Sequence, residues 1–93
     1  METTPHRREV YFHGRVQGVG FRYTTLRIAG GFAVTGYVQN LSDGRVKLVV
    51  EGEPPEIDAF LAKIAESFSA QIAGSNQRPA TATHEFSEFE IRT

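Results

Sequence analysis

The sequence predicts an α+β domain in which two helices pack on one face of an antiparallel sheet of four to five strands. Segments with alternating apolar residues and segments with apolar residues three and four apart follow one another in the order β-α-β-β-α-β. The 93 residues are enough for one hydrophobic core and too few for two. No internal repeat or low-complexity tract is present. This order of elements is that of the ferredoxin-like split β-α-β sandwich.

The pattern begins with a short strand and a helix. Residues 9–13 are rich in β-branched and aromatic side chains, place Val10 and Phe12 on one face, and end at a glycine. Residues 15–20 form a glycine-rich turn, and the helix that follows it is predicted to end near Gly30 and Gly31. The apolar stripe of this helix consists of Phe21, Thr25, Ile28, Ala29 and Phe32.

A β-hairpin and a second helix come next. Residues 34–39 are predicted to be the second strand, and the pair Asp43-Gly44 is typical of a hairpin turn. Pro54 and Pro55 suit the start of a helix because proline is well tolerated in the first helical turn. The alternating residues of the third strand are Val46, Leu48 and Val50. The apolar stripe of the second helix consists of Ile57, Phe60, Leu61, Ile64 and Phe68.

The last part of the chain is more polar. Residues 70–82 are too polar for a central strand, and we expect them at the edge of the sheet or in a loop. Residues 86–91 are predicted to form the closing strand, with Ser87, Phe89 and Ile91 on one side.

Composition narrows the possible functions. Without cysteine the chain has no disulfide, no thiolate ligand for zinc and no cysteine nucleophile. A net charge of −1 argues against a domain that binds nucleic acid through phosphate contacts. No segment approaches the roughly 18 apolar residues of a membrane span. Residues 1–7, which we expect to be a flexible tail before a domain at residues 8–93, lack the apolar run of a signal peptide. We therefore expect a cytoplasmic protein that binds neither nucleic acid nor membranes.

Residues 14–22, with the sequence GRVQGVGFR, carry the clearest functional signal. Three glycines permit a tight turn with inward-facing amide groups, and the turn leads into a helix N-terminus, so the segment is suited to hold an anion. The segment is not a Walker A motif, because no Lys-Ser/Thr ends it, and Tyr23 stands where G-x-G-x-x-G requires its third glycine. On composition alone, a turn that merely needs positive φ is the alternative.

The predicted topology brings two polar side chains to this loop. Arg22 lies in the first helical turn, where a cation is unfavourable unless an anion neutralises it, and a guanidinium can hold two phosphoryl oxygens. The first two strands are parallel and lie about 10 Å apart with the third between them, so their C-terminal ends share one edge of the sheet. Asn40, at the end of the second strand, can therefore converge with Arg22. The alternatives are an exposed arginine and an ordinary turn asparagine.

These motifs resemble the acylphosphatase family. Residues 14–22 match the family in residue type and spacing. So does the later motif made of TGYVQN at residues 35–40 and DGRV at residues 43–46. The resemblance covers nearly the whole chain except about residues 71–83. It implies a ferredoxin-like enzyme that hydrolyses acyl phosphates to a carboxylate and inorganic phosphate, with no metal and no organic cofactor.

The resemblance also implies roles for individual residues. Arg22 would be the catalytic, phosphate-binding arginine, and Asn40 the catalytic asparagine that orients the attacking water. The phosphate-binding residues would be Arg15, Val16, Gln17, Gly18, Val19, Gly20 and Arg22. The expected partner is a small-molecule acyl phosphate, with inorganic phosphate as product, and we expect a monomer.

Other groups in the sequence suggest alternative sites and functions. Asp43 could act as a general base, but a role in the hairpin turn is favoured. His13 borders the loop, yet no second histidine lies at metal-ligand spacing. An RNA-binding domain of the same topology is one alternative, although Phe21 begins a helix instead of lying on the open sheet face. Another is the accessory acylphosphatase-like portion of carbamoyl-transfer maturation proteins, which occurs in chains far longer than these 93 residues.

Overall fold

The structure is a computed structural model that describes residues 6–93. Over this range the chain forms five strands and two helices. The strands are β1 (His6–Gly14), β2 (Val34–Asn40), β3 (Val46–Gly52), β4 (Ile72–Thr81) and β5 (Phe89–Arg92), and the helices are α1 (Phe21–Ala29) and α2 (Pro54–Ser67).

The strands form one mixed sheet in the order β4-β1-β3-β2-β5. β3 lies between β1 and β2 and is antiparallel to both, as predicted, so β1 and β2 are parallel to each other. The sheet departs from the predicted antiparallel arrangement at one edge, where β5 pairs in parallel with β2. The path of the chain explains this. β4 ends at Thr81, which pairs with His6 at the start of β1. On its other side, His6 pairs with Gly52 of β3, and Gly52 pairs with Val34, the first residue of β2. The chain thus enters β5 from the end of the sheet at which β2 begins.

The hydrophobic core lies between the two helices and one face of the sheet. Side chains of β1, α1 and the end of α2 meet in a row of aromatic rings: Phe12 and Phe21 lie 5.2 Å apart between centroids, and Phe21 and Phe68 lie 4.5 Å apart. Because Phe21 is the first residue of α1, this packing fixes the start of the helix against the sheet. The other buried residues include Val10, Val16, Val34, Val38, Val46, Leu48, Val50, Ile57, Phe60 and Ile64.

Several strands and helices begin or end at residues slightly different from the predicted ones. β1 begins at His6, so His6 and Arg7 belong to the sheet, and the rest of the predicted tail lies outside the described residues. α1 ends at Ala29, so Gly30 and Gly31 terminate the helix and do not interrupt it. The polar segment forms β4 at the edge beside β1, which is one of the two placements expected for it.

A buried carboxylate holds the segment between β4 and β5. Glu51, on β3, is 4% exposed and accepts hydrogen bonds from the Thr83 amide and hydroxyl, both at 2.8 Å, and from the His84 amide at 2.9 Å. Arg7 adds an ion pair at 3.2 Å. Burial alone would raise the pKa of the Glu51 carboxyl, but these donors outweigh it and hold the pKa below its usual value.

We expect Glu51→Gln to lower the free energy of unfolding by about 1–3 kcal/mol at pH 7, because it leaves hydrogen-bond donors without a charged acceptor. Because the folded-state pKa is depressed, the contribution is present above the usual value near 4.5 and is lost as the pH falls through the lower folded value. Urea unfolding at pH 7 and pH 3 tests this, with the exposed Glu90→Gln as control. A difference from wild type that is as large at pH 3 as at pH 7 would contradict the assignment.

Candidate active site

The loop between β1 and α1 turns on two glycines and ends at the N-terminus of a helix. Gly18 and Gly20 have φ values of 76° and 78°, a region that side chains other than glycine rarely adopt. The N-cap of α1 is Gly20, which has no side chain to cap the first turn. The first turn also carries no acidic residue that could neutralise the positive end of the helix dipole. This combination favours a bound anion.

Beside this loop lies a cavity of about 190 Å³ between the helix and the sheet edge. Arg22 reaches it from the first turn of α1, and Asn40 reaches it from the last residue of β2. The convergence of these two residues, predicted from topology, is therefore confirmed. The residues that line the cavity are Val16, Gly18, Gly20, Phe21, Arg22, Tyr23, Asn40 and Ile91.

The two polar side chains of the cavity have unused bonding capacity. Arg22 is half-buried and forms no ion pair or side-chain hydrogen bond with any residue in the range 6–93. The Asn40 Oδ1 atom is buried and has no hydrogen-bond partner within the same range. A buried acceptor left unpaired costs about 1–3 kcal/mol, so the Asn40 atom favours a partner from outside the described part of the chain.

Gln17 joins the loop to the turn that follows Asn40. Its Nε2 atom donates to the backbone oxygen of Leu41 at 2.8 Å and to that of Arg45 at 3.0 Å. Because these carbonyls belong to the β2–β3 turn, the Gln17 side chain sets the position of the loop relative to the strand end that carries Asn40. It acts as a clamp between the two walls of the cavity.

The predicted phosphate-binding residues divide into two groups. Val16, Gly18, Gly20 and Arg22 line the cavity, whereas Arg15, Gln17 and Val19 do not. The Arg15 amide donates to the Gln71 carbonyl at 2.9 Å, so that amide is not free for a ligand. Gln17 directs its side chain to the turn, and Val19 points its side chain toward solvent.

Three lining residues were not among the predicted ones. Phe21 packs in the core and closes the floor of the cavity. Ile91 comes from β5, whose place beside β2 no local pattern indicates. Tyr23 is 62% exposed, and the sequence did hold a signal for it: an aromatic residue next to Arg22 and off the apolar stripe of α1.

The two other candidate residues, Asp43 and His13, do not line the cavity. The Arg45 amide and guanidinium both donate to the Asp43 carboxylate, at 3.0 and 2.8 Å, and they hold its pKa below the usual value. Asp43 therefore acts in the hairpin turn, as favoured above. His13 is exposed at the end of β1 and lies against Gly74.

Within residues 6–93, no group of three or more His, Cys, Asp or Glu side chains is arranged to hold a metal ion. Neither helix described for this range has the length and apolar character needed to cross a membrane.

Comparison with known proteins identifies the family of the chain. The acylphosphatase family model matches residues 8–91. A curated acylphosphatase from Methylococcus capsulatus is 42% identical over 86 residues, which covers 91% of this chain and 94% of the relative. The crystal structure of acylphosphatase from Bacillus subtilis superposes with a TM-score of 0.86 at 28% identity and covers 95% of this chain and 99% of that one.

A larger protein contains a similar domain. The crystal structure of full-length HypF in its phosphate- and nucleotide-bound form matches all of this chain with a TM-score of 0.88 and 33% identity, but the match covers only 12% of HypF. The curated relative from Methylococcus capsulatus, by contrast, is matched over nearly its whole length. The family model, the sequence relatives and the solved structures together show that the chain belongs to the acylphosphatase family, and they support acylphosphatase activity for it.

Proposed function

We propose that the chain hydrolyses acyl phosphates by in-line attack of water on phosphorus inside the cavity between α1 and the sheet edge. The water oxygen forms a bond to phosphorus, and the bond between phosphorus and the acyl oxygen breaks. The electron pair leaves with the carboxylate, and a phosphoryl oxygen accepts the proton of the water. The products are a carboxylate and inorganic phosphate.

Arg22 and backbone amides of the loop bind the phosphoryl group in this proposal. The guanidinium is charged at any working pH and can donate to two phosphoryl oxygens at once. Charge spreads over these oxygens in the transition state, so donors that are already in position stabilise it without rearrangement. The missing ion-pair partner of Arg22 among the described residues supports this role.

Asn40 positions the attacking water. The single observation that supports the proposal most strongly is its buried Oδ1, which has no partner among residues 6–93 and belongs to a residue that lines the same cavity as Arg22. A water molecule that donates to Oδ1 would satisfy this atom and be held close to the phosphorus. Such positioning is a large part of catalysis in phosphoryl transfer, where little covalent chemistry is left to the protein.

The reaction needs no general acid for its leaving group. A carboxylic acid has a pKa of about 4 to 5, so the carboxylate departs without being protonated. The described residues that line the cavity include no Asp, Glu or His. This lining suits an anhydride, and it would not suit the phosphate ester of an alcohol, whose leaving group must be protonated.

Comparison of two substrates tests the proposal. After dialysis against a chelator, purified protein should hydrolyse benzoyl phosphate at an unchanged rate and leave phosphoserine intact. Release of phosphate from phosphoserine at a comparable rate, or loss of benzoyl phosphate hydrolysis on chelation, would be incompatible with it.

The clamp residue gives a further prediction. We expect Gln17→Leu to lower kcat for benzoyl phosphate by about tenfold or more, because small misplacements of reacting groups cost this much in rate. The affinity for inorganic phosphate should change less, since Arg22 and the loop glycines remain. Steady-state kinetics with Gln77→Leu, at an exposed position of β4, provide the control. A kcat for Gln17→Leu equal to that of wild type would show that the clamp has no part in positioning.

We further propose that the enzyme acts as a monomer in the cytoplasm. The loop, Arg22, Asn40 and the clamp all come from one chain, so the proposed site requires no second copy. Light scattering should give the mass of a single chain. Activity should be proportional to protein concentration over the same range of concentrations.

A further inference from the structure

Two large apolar side chains are exposed among the described residues, and both lie at the mouth of the same cavity. Tyr23 is 62% exposed and lines the cavity, and Val19, 41% exposed, lies between two lining glycines, Gly18 and Gly20. A single exposed apolar residue is ordinary on a protein surface. Here the other large apolar side chains of the described range are at least partly buried, and the two exceptions are four positions apart beside a proposed site.

The size of the cavity determines which part of the substrate it can enclose. At about 190 Å³ it is smaller than the roughly 300–1,000 Å³ of pockets that enclose a drug-sized ligand. A phosphoryl group held by Arg22 and the loop takes up part of this volume, so a large acyl group extends from the cavity to its mouth. A small acyl group such as acetyl does not need to reach the mouth.

The direction of attack indicates which wall of the cavity the acyl group contacts. In an in-line displacement the leaving group departs from the side of phosphorus opposite the incoming water. Asn40, which would hold this water, belongs to the sheet wall of the cavity together with Ile91. The other wall is made by the loop and the first turn of α1, and this wall carries the exposed side chains of Val19 and Tyr23.

We propose that Tyr23, assisted by Val19, binds the acyl group, so that this enzyme prefers acyl phosphates with an aromatic or other large apolar acyl group to acetyl phosphate. The inference rests on the proposed function and adds a substrate class to it. An aromatic ring can stack on Tyr23 and remove apolar surface from water, whereas an acetyl group is too small to cover the ring. Tyr23 is a specificity residue in this account, and the chemical step depends on Arg22 and Asn40.

The ratio of kcat/KM for benzoyl phosphate to kcat/KM for acetyl phosphate tests this proposal. We expect Tyr23→Ala to lower the ratio by about three- to tenfold, the effect of one aromatic contact, through benzoyl phosphate alone. Tyr23→Phe should keep the wild-type ratio, because the ring and not the hydroxyl makes the contact. Val19→Ser should lower the ratio by a smaller factor. The inhibition constant of inorganic phosphate should be the same in all variants.

A matched control and three contradicting outcomes complete the test. Arg27→Ala, at an exposed position in the last turn of the same helix, should leave the ratio unchanged. A wild-type ratio in Tyr23→Ala, with both substrates hydrolysed, would overturn the role of Tyr23 and leave the proposed function intact. An equal loss on both substrates would also overturn it, since it would mean that the ring supports the phosphate site. Hydrolysis of neither substrate by the wild-type protein would overturn the proposed function itself.

Discussion

Arg22→Ala is expected to lower kcat/KM for benzoyl phosphate by about 10³-fold or more, the range typical of an arginine that stabilises a transferring phosphoryl group. It should also weaken the binding of inorganic phosphate, because the guanidinium is the only cationic side chain that lines the cavity among the described residues. Arg22 has no ion pair within this range, so its removal should leave the free energy of unfolding within about 0.5 kcal/mol of wild type.

Kinetics, phosphate inhibition and urea unfolding of the same preparations provide the check. Arg27→Ala removes a guanidinium from the exposed last turn of α1 and should behave as wild type, which controls for the change in net charge. Arg22→Lys should recover only part of the activity, because a single ammonium cannot hold two oxygens in a fork. If folded Arg22→Ala kept its affinity for phosphate, the anion site would have to lie elsewhere.

Asn40→Ala is expected to lower kcat for benzoyl phosphate by about 10²- to 10³-fold, as the loss of one preorganised polar group does in other active sites. The inhibition constant of inorganic phosphate should stay close to that of wild type, since the loop and Arg22 are untouched. Stability should not fall and should even rise, because the substitution removes a buried acceptor that has no partner in the described part of the chain.

This combination separates a catalytic role from a structural one. A turn asparagine that served only the β2–β3 connection would lose stability on substitution and keep its rate per folded molecule. The outcome that would contradict the assignment is a variant less stable than wild type with an unchanged kcat. Asn40→Asp adds a second comparison: its carboxylate should repel the phosphate and raise the inhibition constant, which Asn40→Ala should not do.

The parts of the fold that follow local rules could be predicted from the sequence. The alternation at Val46, Leu48 and Val50 and the Asp43-Gly44 turn identified the hairpin, because both signals depend only on near neighbours. The direction of β5 could not be predicted in this way. It depends on where β4 ends relative to β2, and this follows from pairings between residues far apart in the chain. Glu51 and its bonds to Thr83 and His84 are equally nonlocal.

The residues of the site can be separated in the same way, into those that sequence patterns indicate and those that depend on distant contacts. Arg22 could be predicted because a cation in a first helical turn after a glycine-rich loop is unusual, and Asn40 could be predicted because parallel strands end at one edge of a sheet. The Gln17 clamp could not, since a side-chain amide that bonds two distant carbonyls leaves no pattern in the sequence. The place of Tyr23 beside the cavity required the structure as well, because periodicity indicates that Tyr23 lies off the apolar stripe of α1 but not what lies next to it.

The central claim is that water attacks phosphorus in the cavity shared by Arg22 and Asn40. The most direct measurement is a hydrolysis of benzoyl phosphate by the wild-type protein in water enriched in oxygen-18, with both products examined by mass spectrometry. Attack at phosphorus predicts that the label enters inorganic phosphate and that the benzoate is unlabelled. Label in the benzoate, which requires attack at the carbonyl carbon, would contradict the account.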